Sequence, residues 1–104
     1  MIDKVKIDQV VYDVAETDEP ILVNNRVCAG EIYYRMNTIT LAKSAGLAQK
    51  DVTLMHEIVH GIIYERMLEK YINADDMDDF LDEMGKSILQ LIRDNPELIE
   101  HVRR

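Results

Sequence analysis

Cysteine is nearly absent from this chain. Cys28 stands alone, so no internal disulfide can staple the fold and no multi-cysteine metal centre can form. Its Val-Cys-Ala setting reads as a small, buried apolar position. Long apolar runs are missing as well. Neither a membrane span nor a signal peptide is expected behind Met1-Ile2-Asp3-Lys4-Val5-Lys6, and the expected compartment is the cytoplasm. Positive charge is scarce, with 12 Lys and Arg against 20 Asp and Glu and a formal net charge of -8. Such a surface has no general attraction for phosphate backbones or anionic lipid, so neither nucleic acid nor membrane is an expected partner. No internal repeat or low-complexity stretch occurs. With 104 residues there is room for one domain, 1–104, around one modest core.

What is present falls into two halves. The first half alternates as strands do. Val5 and Ile7 keep one phase, and Val10, Tyr12 and Val14 keep the shifted one, which predicts a bulge between them. Glu16 to Pro20 is an acidic loop. Ile21 to Val23 is a short apolar run, followed by Asn24-Asn25 as turn material. Val27 to Arg35 reads as a second strand region, Met36-Asn37 as a turn, and Thr38 to Ala42 as a clear strand.

The second half repeats apolar residues at helical spacing from about Ala48 to about Ile72, and again from about Asp78 to Arg93. Pro96 forbids continuation of that second helix and can open a short helical turn of its own through Val102. The expected class is α+β: a small twisted antiparallel sheet followed by two main helices.

The strongest chemical signal is His56-Glu57-Ile58-Val59-His60. Two histidines at i and i+4 lie one helical turn apart on one face, which lets both imidazoles reach a single Zn²⁺. Glu57 projects from the same broad side, displaced around the helix, where it can act as the general base toward a zinc-activated water. At about 100° per residue, Thr53, His56, Glu57, His60 and Tyr64 share one sector, while Leu54, Met55, Ile58, Val59, Ile62 and Ile63 fill the opposite, wider one.

Catalytic zinc usually takes three protein ligands. No histidine follows His60 until His101, so the longer three-histidine motif is not met. The next helix offers Asp78, Asp79, Asp82 and Glu83 instead. Asp82 is the favoured third ligand, because Gly85 beside it permits a close approach of the two helices. The other three stay open as candidates, and all four also suit a helix N-terminus as plain surface charge. Tyr64, one turn beyond His60, is a candidate to support a ligand or stabilise an oxyanion. The strand Thr38–Ala42 and its partner Glu31–Arg35 lie just before the motif helix, where an edge strand can bind extended peptide.

At these residues the chain resembles the gluzincin-type zinc peptidases and, more closely, is similar to small phage- and prophage-associated members of the ImmA/IrrE-like metallopeptidase family. The likeness runs from about Ala29 to Leu98. It rests on Gly30-Glu31-Ile32-Tyr33-Tyr34 with Thr38-Ile39-Thr40-Leu41, on Thr53 to Gly61, on Leu81-Asp82-Glu83-Met84-Gly85, and on Arg93-Asp94-Asn95-Pro96-Glu97-Leu98. The resemblance implies a minimal zincin-like domain, with His56 and His60 as ligands and Glu57 as base. It also implies a third ligand from the next helix, where Asp82 stands in place of the family's usual glutamate. The implied substrate is a peptide or protein, in this family often a repressor or regulator encoded nearby. The competing expectation is a catalytically silent relative that binds a partner protein.

Overall fold

The alternating first half is realised as short strands joined by turns that asparagine and aspartate make possible. The computed structural model describes residues 2–104. Among these, β1 (Lys4–Ile7), β2 (Val10–Thr17), β3 (Ile21–Val23), β4 (Arg26–Cys28), β5 (Gly30–Tyr33) and β6 (Thr38–Ala42) precede α1 (Leu47–Glu65), α2 (Met77–Asp94) and α3 (Pro96–Arg103). The phase change after Ile7 is a tight hairpin and not the expected bulge. Ile7 pairs with Val10, and Asp8 takes the left-handed conformation at φ 52, which a short polar side chain tolerates. Asn24 and Asn25 take φ 53 and 64 between β3 and β4, the backbone that a two-residue hairpin loop requires. Asn37 does the same before β6.

The sheet is mixed, which corrects the antiparallel expectation. Its order is β1-β2-β6-β5, with β1–β2 and β5–β6 antiparallel but β2–β6 parallel, Asp13 opposite Thr38 through Thr17 opposite Ala42. The cause is the excursion after β2. Asp18 to Pro20 leads into the separate β3–β4 hairpin, and the chain re-enters as β5 at the far edge. The tight turn after β5 then drops β6 into the gap beside β2, where it must run in the direction of β2. The single strand region expected over Val27 to Arg35 is thereby split at Ala29, with Arg26–Cys28 in the hairpin and Gly30–Tyr33 in the main sheet.

Helix α1 packs against both the sheet and α2. Leu54, Ile58 and Ile62 lie on the sheet core of Ile7, Tyr12, Val14, Ile39 and Leu41. Val59 and Ile63 join Leu81 of α2, with Leu68, Ile72, Met77 and Ile88 around them. Two tethers hold α1 to β2 near its ends: Lys50 pairs with Glu16 at 2.5 Å, and the Tyr12 hydroxyl donates to Glu65 at 2.5 Å. Close approach depends on glycine. A methyl at Gly61 would stand 2.6 Å from Ile7 Cδ1, and one at Gly85 would stand 3.1 Å from the His56 backbone nitrogen. No described helix is long and apolar enough to cross a membrane.

Helix α1 stops at Glu65, short of the expected Ile72. Met67 turns left-handed at φ 52, its N–H bonds the Tyr64 carbonyl, and the Leu68 N–H bonds the Ile63 carbonyl. This is the Schellman arrangement, completed by the apolar neighbours Ile63 and Leu68. A short 3₁₀ turn at Glu69–Tyr71 follows. Glycine is the usual occupant of that left-handed position, and methionine is strained there by about 1 kcal/mol. The Met67 side chain is largely exposed, so little packing opposes its removal. Met67→Gly is expected to raise stability by about 1 kcal/mol, seen as a melting temperature higher by about 4–8 °C. An unchanged or lower melting temperature would show that the cap carries no strain.

Candidate metal centre

Helix α1 presents two adjacent stripes to one cleft. Thr53, Glu57 and Gly61, spaced by four, are buried. Thr53 lies against Gly30 and Gly61 against Ile32, so Glu57, midway between, sits under β5. The neighbouring stripe, His56 and His60, is half-buried and opens between β5 and α2. The polar sector of α1 is therefore roofed by a strand over Glu57 and open to the cleft at His56 and His60.

The cleft has a volume of about 540 Å³. His56, Glu57 and His60 form its floor, Asp78 and Asp82 of α2 one wall, and Ala29 to Tyr34 the opposite wall. One ligand atom from each of His56, Glu57 and His60 comes within 4.8 Å of the others. The two imidazoles stand 4.9 Å apart, centroid to centroid, at 66°. Two imidazole nitrogens and a carboxylate at this spacing suit a borderline-soft divalent ion such as Zn²⁺.

The acids of α2 separate cleanly. Asp82 Oδ1 is 3.5 Å from His56 Nδ1, and Asp78 Oδ1 is 3.9 Å from His60 Nε2. Asp79 and Glu83 do not line the cleft. Lys86 grips the other oxygen of Asp82 at 2.8 Å; that hydrogen bond, ahead of the weaker pull of His56, holds the carboxyl below its ordinary range. His101 lies on α3, against Arg104.

Glu57 is 6% exposed and makes no side-chain hydrogen bond among the described residues. Burial, then the nearby charges of Glu31 and Asp78, push its pKa up to about 7. Burial also lowers the His60 pKa, assisted by His56 and opposed by Asp78.

Tyr34 lines the cleft and Tyr64 does not. Tyr64 instead stacks on Tyr34, rings 4.0 Å apart and 8° from parallel. Tyr34, and not the expected Tyr64, is thus the tyrosine at the cleft, and its pKa is pushed up to about 12 by burial and then by Glu57. Tyr34 lies in the turn just after β5, two residues beyond Ile32.

No family model matches this chain, and no curated protein or solved structure does either.

A carboxyl whose folded pKa is raised stabilises the fold below its unfolded value, near 4.5, and loses that contribution as pH rises through 7. In chelator-treated protein, Glu57→Gln is therefore expected to gain on wild type between pH 5 and pH 8, by about 3 kcal/mol at most. Urea melts at the two pH values measure the difference. Parallel pH profiles for the two proteins would mean that Glu57 does not ionise in a buried site.

Proposed function

We propose that the protein is a zinc-dependent metallopeptidase of minimal zincin-like design. The observation that carries this is the convergence of His56, Glu57 and His60 within 4.8 Å at the floor of a cleft walled by an edge strand. His56, His60 and Asp82 would hold the ion, with Asp78 the nearest competitor for the third place. Zinc so held supplies Lewis acidity, polarising a carbonyl and acidifying water.

The chain's own residues do the rest. Burial keeps His60 neutral and so able to ligate. Glu57, buried beside both histidines, accepts the proton of the attacking water at its carboxylate and returns it to the departing amine. The Tyr34 phenol, protonated throughout the physiological range, is the available donor to a developing oxyanion. Strand β5 pairs on one side only, with β6. Its free edge can take up an extended peptide by main-chain hydrogen bonds.

Purified protein loaded with zinc is expected to hold about one ion per chain, with Glu57→Gln retaining that ion while peptide cleavage falls by about 10²-fold or more. Glu57→Gln with undiminished biological effect would instead mark a silent, partner-binding protein. Among the acids, Asp82→Ala is expected to weaken zinc binding, in competitive chelator titration, far more than Asp79→Ala or Glu83→Ala. A larger loss from Asp78→Ala would transfer the ligand role to Asp78.

A further inference from the structure

Helix α3 buries none of its described residues. It leans on α2 across an open groove lined by Ile92, Pro96, Ile99, Glu100 and Arg103. So short a helix gains little from its own hydrogen bonds in water, yet Leu98 and Val102, one turn apart, keep 43% and 63% of their surface exposed. Helix α2 leaves a second apolar stripe uncovered. It buries Leu81 and Gly85 against α1 and lines the cleft with Asp78 and Asp82. At about 100° per residue, Phe80, Met84 and Leu91 fall on the side of α2 away from those two acids. All three are exposed, by 39% to 50%. The two apolar sets carry opposite charge at their borders. Asp76, Asp79 and Glu83 flank Phe80 and Met84, and no Lys or Arg occurs between Ile72 and Met84. Arg103 and Arg104 follow Val102 directly, at the end of α3.

We infer that this face binds a second copy of the chain, in a two-fold dimer where each α3 lies antiparallel on the α2 of the other. The spacing fits. Phe80 and Met84 are four residues apart, as are Leu98 and Val102, which is about 6 Å along either helix. Set antiparallel, Leu98 of the second copy covers Met84, its Val102 covers Phe80, and its Arg103 comes beside Asp79. Leu91 stands seven residues from Met84 and seven from Leu98. The two-fold axis therefore passes beside Leu91, which meets its own counterpart. Apolar burial supplies the affinity, and charge sets the direction. A parallel pair would bring the acidic end of each α2 against the same end of the other. An unrelated basic helix could cover Phe80 and Met84, but it would leave Leu98 and Val102 open to water. A second copy covers both sets at once, because the surface is complementary to itself. Asp78 and Asp82 lie across α2 from the stripe, so both clefts stay open in the dimer. The inference is independent of the peptidase reading.

Sedimentation velocity over a range of protein concentrations, with light scattering for mass, measures the association of the intact chain. A dimer with a micromolar dissociation constant is expected. Leu91→Asp sets two like charges beside the axis and is expected to raise that constant by at least about tenfold. A second set of variants guards against a folding artefact. Asp79→Arg and Arg103→Asp, both on exposed side chains, are each expected to weaken the dimer by about tenfold, since the two-fold axis doubles every change. The double variant restores the pair with its signs exchanged and is expected to return within about threefold of wild type. A chain that stays monomeric, or one that forms a higher oligomer, overturns the inference. So does a dimer indifferent to Leu91→Asp, or a double variant weaker than either single one.

Discussion

Helix α1 is gripped from two sides at close range, and the site depends on that grip. On one side Gly61 lets Ile7 and Ile32 reach the helix backbone; on the other Gly85 brings α2 against the backbone of His56. A side chain at either glycine would wedge the layers apart, since the atoms met are backbone or buried core. The consequence is electrostatic as much as steric. Glu57 occupies a polar stripe, yet β5 closes over it and removes its water. Its raised pKa is thus a product of layer spacing, and not of an apolar sequence around it. The ion pair of Lys50 with Glu16 and the hydrogen bond of Tyr12 with Glu65 keep the helix from sliding along β2, which fixes the depth at which Glu57 lies.

The same cleft is poorly balanced as a set of protein charges. Glu57, Asp78 and Asp82 line it, and the nearest cation, Lys86, is committed to Asp82. Desolvation drives Glu57 toward its protonated form and His60 toward its neutral form. A divalent ion reverses the first tendency and exploits the second, because it attracts carboxylate charge and needs an unprotonated imidazole. The features that make the cleft costly for a protein alone are those that favour a cation in it.

Much of this was legible in the residues, and the limits have physical causes. The placement of His56, Glu57 and His60 follows from helical periodicity, which is local. Asp82 and Gly85 facing α1 follow from the same rule applied to α2. The asparagine turns at Asn24, Asn25 and Asn37 announce themselves by their tolerance of positive φ. The parallel pairing of β2 with β6 could not be read, because it depends on where β5 re-enters after the hairpin, a long-range choice with no local mark. The end of α1 at Glu65 was also hidden. Its apolar spacing runs on to Ile72, and the left-handed stop falls on Met67, a residue with no preference for that conformation. Tyr34 was overlooked because Tyr64 has the more conspicuous helical spacing; Tyr34 lies in the turn after β5, and its place at the cleft depends on where that strand ends.

The two edges of the main sheet are managed differently, and the contrast bears on function. An open edge invites pairing with other chains, and proteins commonly blunt it with lysine. The β1 edge follows that practice: Lys4 and Lys6 flank Val5 in a four-residue strand, and Lys4 is held by Asp13 across the pair. The β5 edge has no lysine. Its four residues are Gly30, Glu31, Ile32 and Tyr33, and the cleft runs along them. Glycine at the start brings the strand down onto Thr53, and the hairpin stands beside that end. An edge left without lysine protection and bordered by a walled cleft is what the proposed pairing with an extended segment rests on. Of the sheet's two borders, only the one beside the histidines lacks lysine.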